Sequence, residues 1–350
     1  MILYTALTSS AQTAYAQLFD AAQAAELSRT VADLPGTFTR KTVKGKDYWY
    51  YQFLDVSGSK RQVYVGPESD RVHALINVRA QTGMREALTP LAQSAEALGN
   101  APILARHFKV AQRLSDYGFF RAGGVLVGTH AFLSFGNMLG MHWSDGQRTQ
   151  DVDFAHAGRS MSIALPVDAD IDVHAAIESL QMGLLPIRHS DGAVGASYID
   201  PREPDFQIDF LTPVYRGGHE PYLHPKLGIR LQPLKFMEYL LEDLQQAVLF
   251  CKSGACIVNV PHPARYALHK LIVAGERPVS RIAKSNKDIL QAATALSVLK
   301  ELAPGQVEDA WKDMLGRGPG WVSRVLRGRA ALQRVAPELE PLKWLKAAGE

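Results

Sequence analysis

The chain has 350 residues, 47% of them hydrophobic, with a formal net charge of +3 and a pI near 8.7. That length and apolar content suffice for a sizeable core spread over two or three structural units, which excludes a disordered protein. The charge is too mild for nucleic-acid affinity to be argued from the total, and two cysteines, Cys251 and Cys256, are too few for a thiolate zinc site or a disulfide framework.

The N-terminal stretch MILYTALTSSAQ has neither a basic region nor a long apolar run, and no segment approaches the roughly 20 apolar residues of a membrane span. The expectation is a cytoplasmic protein with no membrane partner and with both cysteines reduced. Ala11 to Ala32 is rich in the helix formers Ala, Gln and Leu, and Leu34-Pro35-Gly36 ends that helix. Thr37 to Pro67 then sets Tyr-, Trp-, Phe- and Val-rich runs between turn signals at Lys44-Gly45-Lys46-Asp47 and Ser57-Gly58-Ser59-Lys60, which predicts a three-stranded β-meander. Its Arg40, Lys41, Lys44, Lys46, Lys60 and Arg61 are balanced by only Asp47 and Asp55, and Tyr48, Trp49, Tyr50, Tyr51 and Tyr64 lie among them. Two readings stand side by side. In one, Lys44, Lys46, Lys60 and Arg61 neutralise phosphates while Trp49 stacks on bases. In the other, a small sheet uses its aromatics as a core and its lysines at solvated turns.

Glu68 to Leu98 places Val72, Leu75, Ile76, Met84, Leu88 and Leu91 at helix-like spacing. Asn100-Ala101-Pro102 marks a boundary that closes an N-terminal unit, residues 1–100, and Ile103 to Tyr117 is helical again. Val125-Leu126-Val127 reads as a short strand, followed by Gly128-Thr129 and a helix carrying Ala131, Phe132, Phe135 and Leu139. Gly128 lets a backbone or a phosphate come close. Thr129 either caps the helix or offers its hydroxyl and the neighbouring N–H groups to an anion. Arg148 and Thr149 reach phosphate if their loop turns inward, and are solvated otherwise.

In Asp151-Val152-Asp153-Phe154 the alternation puts both carboxylates on one face of a strand and both apolar side chains on the other. Two carboxylates so placed repel each other, and a divalent cation relieves the repulsion; magnesium favours a few carboxylates together with substrate phosphate oxygens. Asp209 repeats the pattern in Phe206-Gln207-Ile208-Asp209-Phe210. Ser162 to Pro166 looks like a strand end, Ile171 to Gln181 like a helix, and Leu184 to Ile199 like a hairpin broken at Ser190-Asp191-Gly192. Leu234 to Leu244 is open between strand and helix. Ala247 to Val260 reads as a hairpin, Pro263 to Gly275 as a helix begun by proline, and Lys284 to Leu302 and Val307 to Ala347 as further helices. Lys270, with Tyr266 and Leu271 beside it for packing, either reaches an anion or snorkels to water. Lys287 and Asp288 form a surface pair or face the cleft. His130, His142, His156 and His269 share no metal-ligand spacing and read as structural.

Val127-Gly128-Thr129, Asp151-Val152-Asp153 and Ile208-Asp209-Phe210 together resemble the DNA polymerase beta-like nucleotidyltransferase superfamily: an apolar-Gly-Gly/Ser turn, an acid-apolar-acid strand and a third acid on another strand. Thr129 stands where Ser or Gly is usual, and the span from turn to first acid is longer than in many members, with an insertion around Gly136 to Gln147. Val260 to Leu271 and Lys284-Ser285-Asn286-Lys287-Asp288 are similar to the C-terminal helical part of a bacterial branch, so the resemblance runs from about residue 105 onward. It implies an α+β fold: a polymerase beta-like nucleotidyltransferase core over 101–232, preceded by the β-meander and followed by a mainly helical C-terminal unit, 233–350. It also implies magnesium- or manganese-dependent transfer of a nucleoside monophosphate from an NTP, ATP included, to a hydroxyl, with release of pyrophosphate. Asp151, Asp153 and Asp209 would hold the metal, Asp209 would also take or orient the hydroxyl's proton, and Gly128, Thr129, Arg148 and Lys270 would bind the nucleotide. Similarity to toxin-type nucleotidyltransferases of toxin-antitoxin systems implies an RNA or DNA 3′ end such as that of tRNA as acceptor, and an antitoxin protein as partner. A small molecule such as an aminoglycoside, or a protein hydroxyl, fits the same chemistry. A nucleic-acid-binding module with a degenerate transferase fold is the reading from a different class, and the presence of all three acids speaks against it.

Overall fold

A computed structural model of the chain describes residues 3–27, 36–43, 45–54, 60–70, 72–73, 76, 83–144, 149–157, 172–188, 194–215, 218, 220–225, 227–278, 280 and 282–347. The first elements are β1 (Tyr4–Ala6), α1 (Ser9–Leu27), the strands β2 (Gly36–Val43), β3 (Lys46–Leu54) and β4 (Lys60–Pro67), α2 (Gly83–Ala97) and α3 (Ala105–Asp116). Next come β5 (Gly124–Leu126), α4 (Gly128–Met138), β6 (Met141–Trp143), β7 (Val152–His156), α5 (Val173–Glu178), β8 (Leu185–Arg188), β9 (Val194–Asp200) and β10 (Glu203–Pro213). They are followed by β11 (Tyr222–His224), β12 (Ile229–Leu234), α6 (Met237–Leu240), β13 (Leu244–Cys251) and β14 (Gly254–Pro261). Helices α7 (Pro263–Glu276), α8 (Ile282–Leu302), α9 (Pro304–Gly316), α10 (Pro319–Val335) and α11 (Pro341–Trp344) complete an α+β chain. The strand end expected at Ser162 to Pro166 and the turn at Ser190-Asp191-Gly192 lie outside the described residues.

Strict alternation along β7 and β10 builds the central mixed sheet, ordered β11-β12-β10-β7-β5. Val152, Phe154, Phe206, Ile208 and Phe210 are all buried on one face, where Phe154 and Phe210 stack at 5.6 Å and Phe119 meets both edge-on. The opposite face carries Asp153, Gln207, Asp209 and Leu211, which are only partly buried. Strand β10 is parallel to β7 and to β12. Its first half pairs antiparallel with β9 and its last three residues with β12, so one long strand spans two partners on the same edge. Leu234 to Leu244, open between strand and helix in the sequence, resolves into the end of β12, the short helix α6 and the start of β13.

The C-terminal helices close over the acidic face. Helices α7 and α10 touch backbone to backbone: a Cβ on Gly275 would stand 2.1 Å from the Arg324 carbonyl oxygen, and one on Gly328 would stand 2.1 Å from that of Leu271. Only glycine allows that approach. The N-terminal helices do not stand apart from the rest. Leu18 and Ala22 of α1 and Leu88 and Ala92 of α2 bury themselves against Val248, Phe250 and Ile257 of the β13-β14 hairpin. Strand β1 pairs with β6 inside the stretch read as an insertion, which therefore carries structure of its own. Cys251 and Cys256 are buried on the β13-β14 hairpin and form no disulfide. Among the described residues no helix is long and apolar enough to cross a membrane.

Candidate active site

Strand β5 delivers the chain to Gly128, where α4 begins at φ +62, a left-handed conformation that suits glycine. The Val127 N–H donates to the Asp153 carbonyl at 2.9 Å, which ties the turn to β7. What comes close to Gly128 is a carboxylate: a Cβ there would lie 2.0 Å from Asp153 Oδ2. Asp153 is the register partner of Asp209 on the adjacent parallel strand, and Asp151 sits just before β7 on the same side. Gln207 Nε2 donates to Asp209 Oδ1 at 2.6 Å, and the Ser197 hydroxyl donates to the same oxygen.

Burial first, and the crowding of negative charge second, raise the Asp151 and Asp153 carboxyls of this face. Burial pushes the Asp153 carboxyl up to about 6, with Asp209 and Asp151 adding to the effect and Lys270 opposing it. The Asp151 carboxyl is raised by burial and by Asp209, against Lys284 and Lys287. Burial and then Lys270 lower the Lys287 ammonium, while Asp288, Asp151 and Asp153 pull the other way. Lys287 is partly buried and close enough to Asp151 and Asp153 for their charges to act on it. Its neighbour Asp288 is 4% exposed, accepts from Lys270 Nζ at 2.8 Å and is also paired with Arg277.

Lys270 does not snorkel to water. Its side chain is only 14% exposed and lies 5.2 Å over the Tyr266 ring, and although desolvation alone would lower its pKa, Asp288 leads the groups that hold it above the ordinary lysine range. With Gly128 and Asp153 it lines a cavity of about 490 Å3. Thr129 is buried and is not the helix cap. The N-cap position is Val127, which makes no side-chain cap bond, and the Thr129 hydroxyl accepts from Gln291 Nε2 at 3.3 Å. Tyr266 Oη lies 2.9 Å from the Gly128 carbonyl oxygen and 2.8 Å from Gln291 Oε1, so α7 and α8 both grip the turn.

Three carboxylates on one face, short of compensating charge, are the hard oxygen donors a divalent cation takes. They are neighbours by register and not a preassembled shell: among the described residues no three His, Cys, Asp or Glu side chains already stand together as metal ligands. The histidines resolve differently. His107 and His130 share a buried contact, Nδ1 to Nε2 at 2.9 Å, whereas His269 lines the cavity.

Of the expected nucleotide contacts, Arg148 lies outside the described residues, as does Lys44 in the meander. For Lys60 and Arg61 the structure describes the strand they belong to. Trp49 turns to the face opposite Tyr48, Tyr50 and Tyr64, donates from Nε1 to Glu68 Oε2 at 2.8 Å and meets the His73 ring edge-on, a structural use of its indole. Lys46 is exposed. Sequence reasoning missed Gln207, Ser197, Gln291 and Arg277. Gln207 shares Asp209's face two residues away and was legible by alternation; the other three depend on pairings between distant segments.

The family model for nucleotidyltransferases matches residues 105–316, a span that contains Gly128, the three aspartates, Lys270 and Asp288. The crystal structure of an antigenic nucleotidyltransferase-like protein from Paracoccidioides brasiliensis is 15% identical, covering 65% of this chain and 95% of that one at a TM-score of 0.31, a likeness too weak to inform this fold. No curated protein matches the chain.

Proposed function

The chain belongs to the nucleotidyltransferase family, and from that premise we propose that it moves a nucleoside monophosphate from an NTP to a hydroxyl, releasing pyrophosphate. The observation that carries this reading is the register of Asp153 with Asp209 beside the Gly128 turn. Asp151, Asp153 and Asp209 fit magnesium or manganese, which when bound would neutralise triphosphate charge and polarise the reacting phosphoryl group. Lys270, held in place by Asp288, directs its ammonium toward the phosphates; Lys287 and Lys284 add positive charge near Asp151. Ser197 and Gln207 fix Asp209 through Oδ1, and its other oxygen takes or orients the proton of the attacking hydroxyl.

For the acceptor we propose a nucleic acid 3′ end, such as that of tRNA. The meander supports this with a partly exposed face bearing Tyr48, Tyr50 and Tyr64, with rings 5.6 to 6.2 Å apart and Lys41 Nζ 5.0 Å over Tyr50. Stacking rings beside cations suit unpaired bases and phosphates. Calorimetry of NTP binding with magnesium and with EDTA tests the donor half of the proposal. Wild type binds in magnesium and weakly in EDTA, and Asp209→Asn loses the difference. Equal affinity in all of these conditions contradicts it.

A further inference from the structure

Helix α7 presents one side of its length to the cavity. Tyr266, His269, Lys270, Val273 and Glu276 recur at spacings of three and four and line it, while Leu271 and Gly275 sit against α10. The cavity is polar where Gly128, Asp153 and Lys270 meet, the part assigned to the triphosphate. Leu211, Leu234, Phe236, Met237 and Leu240 make most of the remaining wall apolar, with Lys235, Glu276 and Arg277 as its charged members. Phe236 is held there at φ +69, a left-handed conformation that a bulky residue rarely adopts and that clusters at ligand sites.

His269 is the exception in this wall. The residue is 7% exposed, and neither of its ring nitrogens has a hydrogen-bond partner among the described residues. A buried polar atom left unpaired has lost its water without replacement, so a ring with two such atoms calls for a ligand or another function to explain it. Burial holds its pKa down at about 3, which leaves a neutral imidazole with one N–H donor and one acceptor.

A charged end joined to a largely apolar compartment, within the roughly 300–1,000 Å3 of ligand pockets, complements a nucleoside triphosphate: an anionic tail, and a flat apolar base with a polar edge. We propose that the cavity receives the nucleoside of the donor nucleotide and that His269 reads the edge of its base. This rests on the nucleotidyl-transfer reading and adds to it where the base lies and which residue selects it. A site with one donor and one acceptor leaves a polar atom unpaired against the wrong base, and discrimination comes from that penalty.

The test is equilibrium binding of ATP, GTP, CTP, UTP and tripolyphosphate, each with magnesium, to wild type, His269→Phe and His269→Gln. Wild type ranks the four nucleotides. His269→Phe binds the preferred one about tenfold more weakly, roughly the loss of one hydrogen bond, and levels the ranking while keeping its affinity for tripolyphosphate. Should that variant lose tripolyphosphate as well, His269→Gln decides: a changed ranking supports the assignment and an unchanged one overturns it. A wild-type ranking kept intact in His269→Phe overturns it. So does wild type that binds all four nucleotides no better than tripolyphosphate, an outcome that leaves the transfer reading standing. Wild type that binds neither nucleotides nor tripolyphosphate overturns both.

Discussion

Asp153 and Asp209 face each other as register partners on parallel strands, and Asp153 is squeezed further by the Gly128 turn. Its carboxyl is raised from an ordinary value near 3.8 to about 6, so the folded state binds this proton more tightly than the unfolded state does. The sign follows: the group's share of stability is present below about pH 4 and is lost as pH rises to about 6. Asp153→Asn removes that loss. We expect the metal-free variant to be more stable than wild type above pH 6, by on the order of 1–3 kcal/mol, and the gap to close toward pH 4. Thermal melts in EDTA across this range check it; a variant less stable than wild type at pH 7 contradicts it.

Gly128→Ala combines an unfavourable left-handed backbone with a methyl driven into Asp153. The backbone alone costs about 1–2 kcal/mol. The methyl must also displace the carboxylate, so stability and magnesium-dependent NTP binding fall together. Urea denaturation and calorimetry read the two losses, and a folded Ala variant with wild-type NTP affinity would remove Gly128 from the site.

Asp288→Asn leaves Lys270 and Arg277 without their shared buried counter-charge. Loss of one partner of a buried pair costs about 3–5 kcal/mol. We expect a loss of that size in urea, with weaker NTP binding because Lys270 is no longer held in place. A loss under 1 kcal/mol shows instead that the pair is effectively solvated.

Much of this arrangement was legible in the chain. Alternation placed Asp151 and Asp153 opposite Phe154 on one strand and Asp209 opposite Phe210 on another, because a period of two is read from neighbours; the parallel pairing that puts all three acids on one face comes from the structure. The turn at Gly128, the strand before it and the helix after it followed from local spacing. What stayed hidden depends on contacts between distant segments. Asp288 becomes the partner of Lys270 only when α8 folds beside α7, and Thr129 looks like a cap until Gln291, 162 residues away, takes its hydroxyl. Trp49 could not be told from Tyr50 as a stacking residue before the pairing of β3 showed which face each takes.

On the meander, replacing Lys41 and Lys46 with Ala should weaken binding of single-stranded RNA. It should also reduce the slope of log affinity against log salt by about 1.4, since each phosphate contact on a single strand contributes about 0.7. NTP affinity should hold. Salt titrations that coincide with wild type would move the acceptor away from this face and toward a small molecule or a protein hydroxyl.

The most direct test of the central claim is to incubate the protein with magnesium, a total RNA pool and NTPs labelled in turn at the α- and γ-phosphates. Label from the α position should appear in RNA, label from the γ position should leave as pyrophosphate, and both signals should fall by about three powers of ten, roughly 4 kcal/mol of transition-state stabilisation, in Asp153→Asn. Transfer of the γ label, or α transfer undiminished by that substitution, would contradict the account.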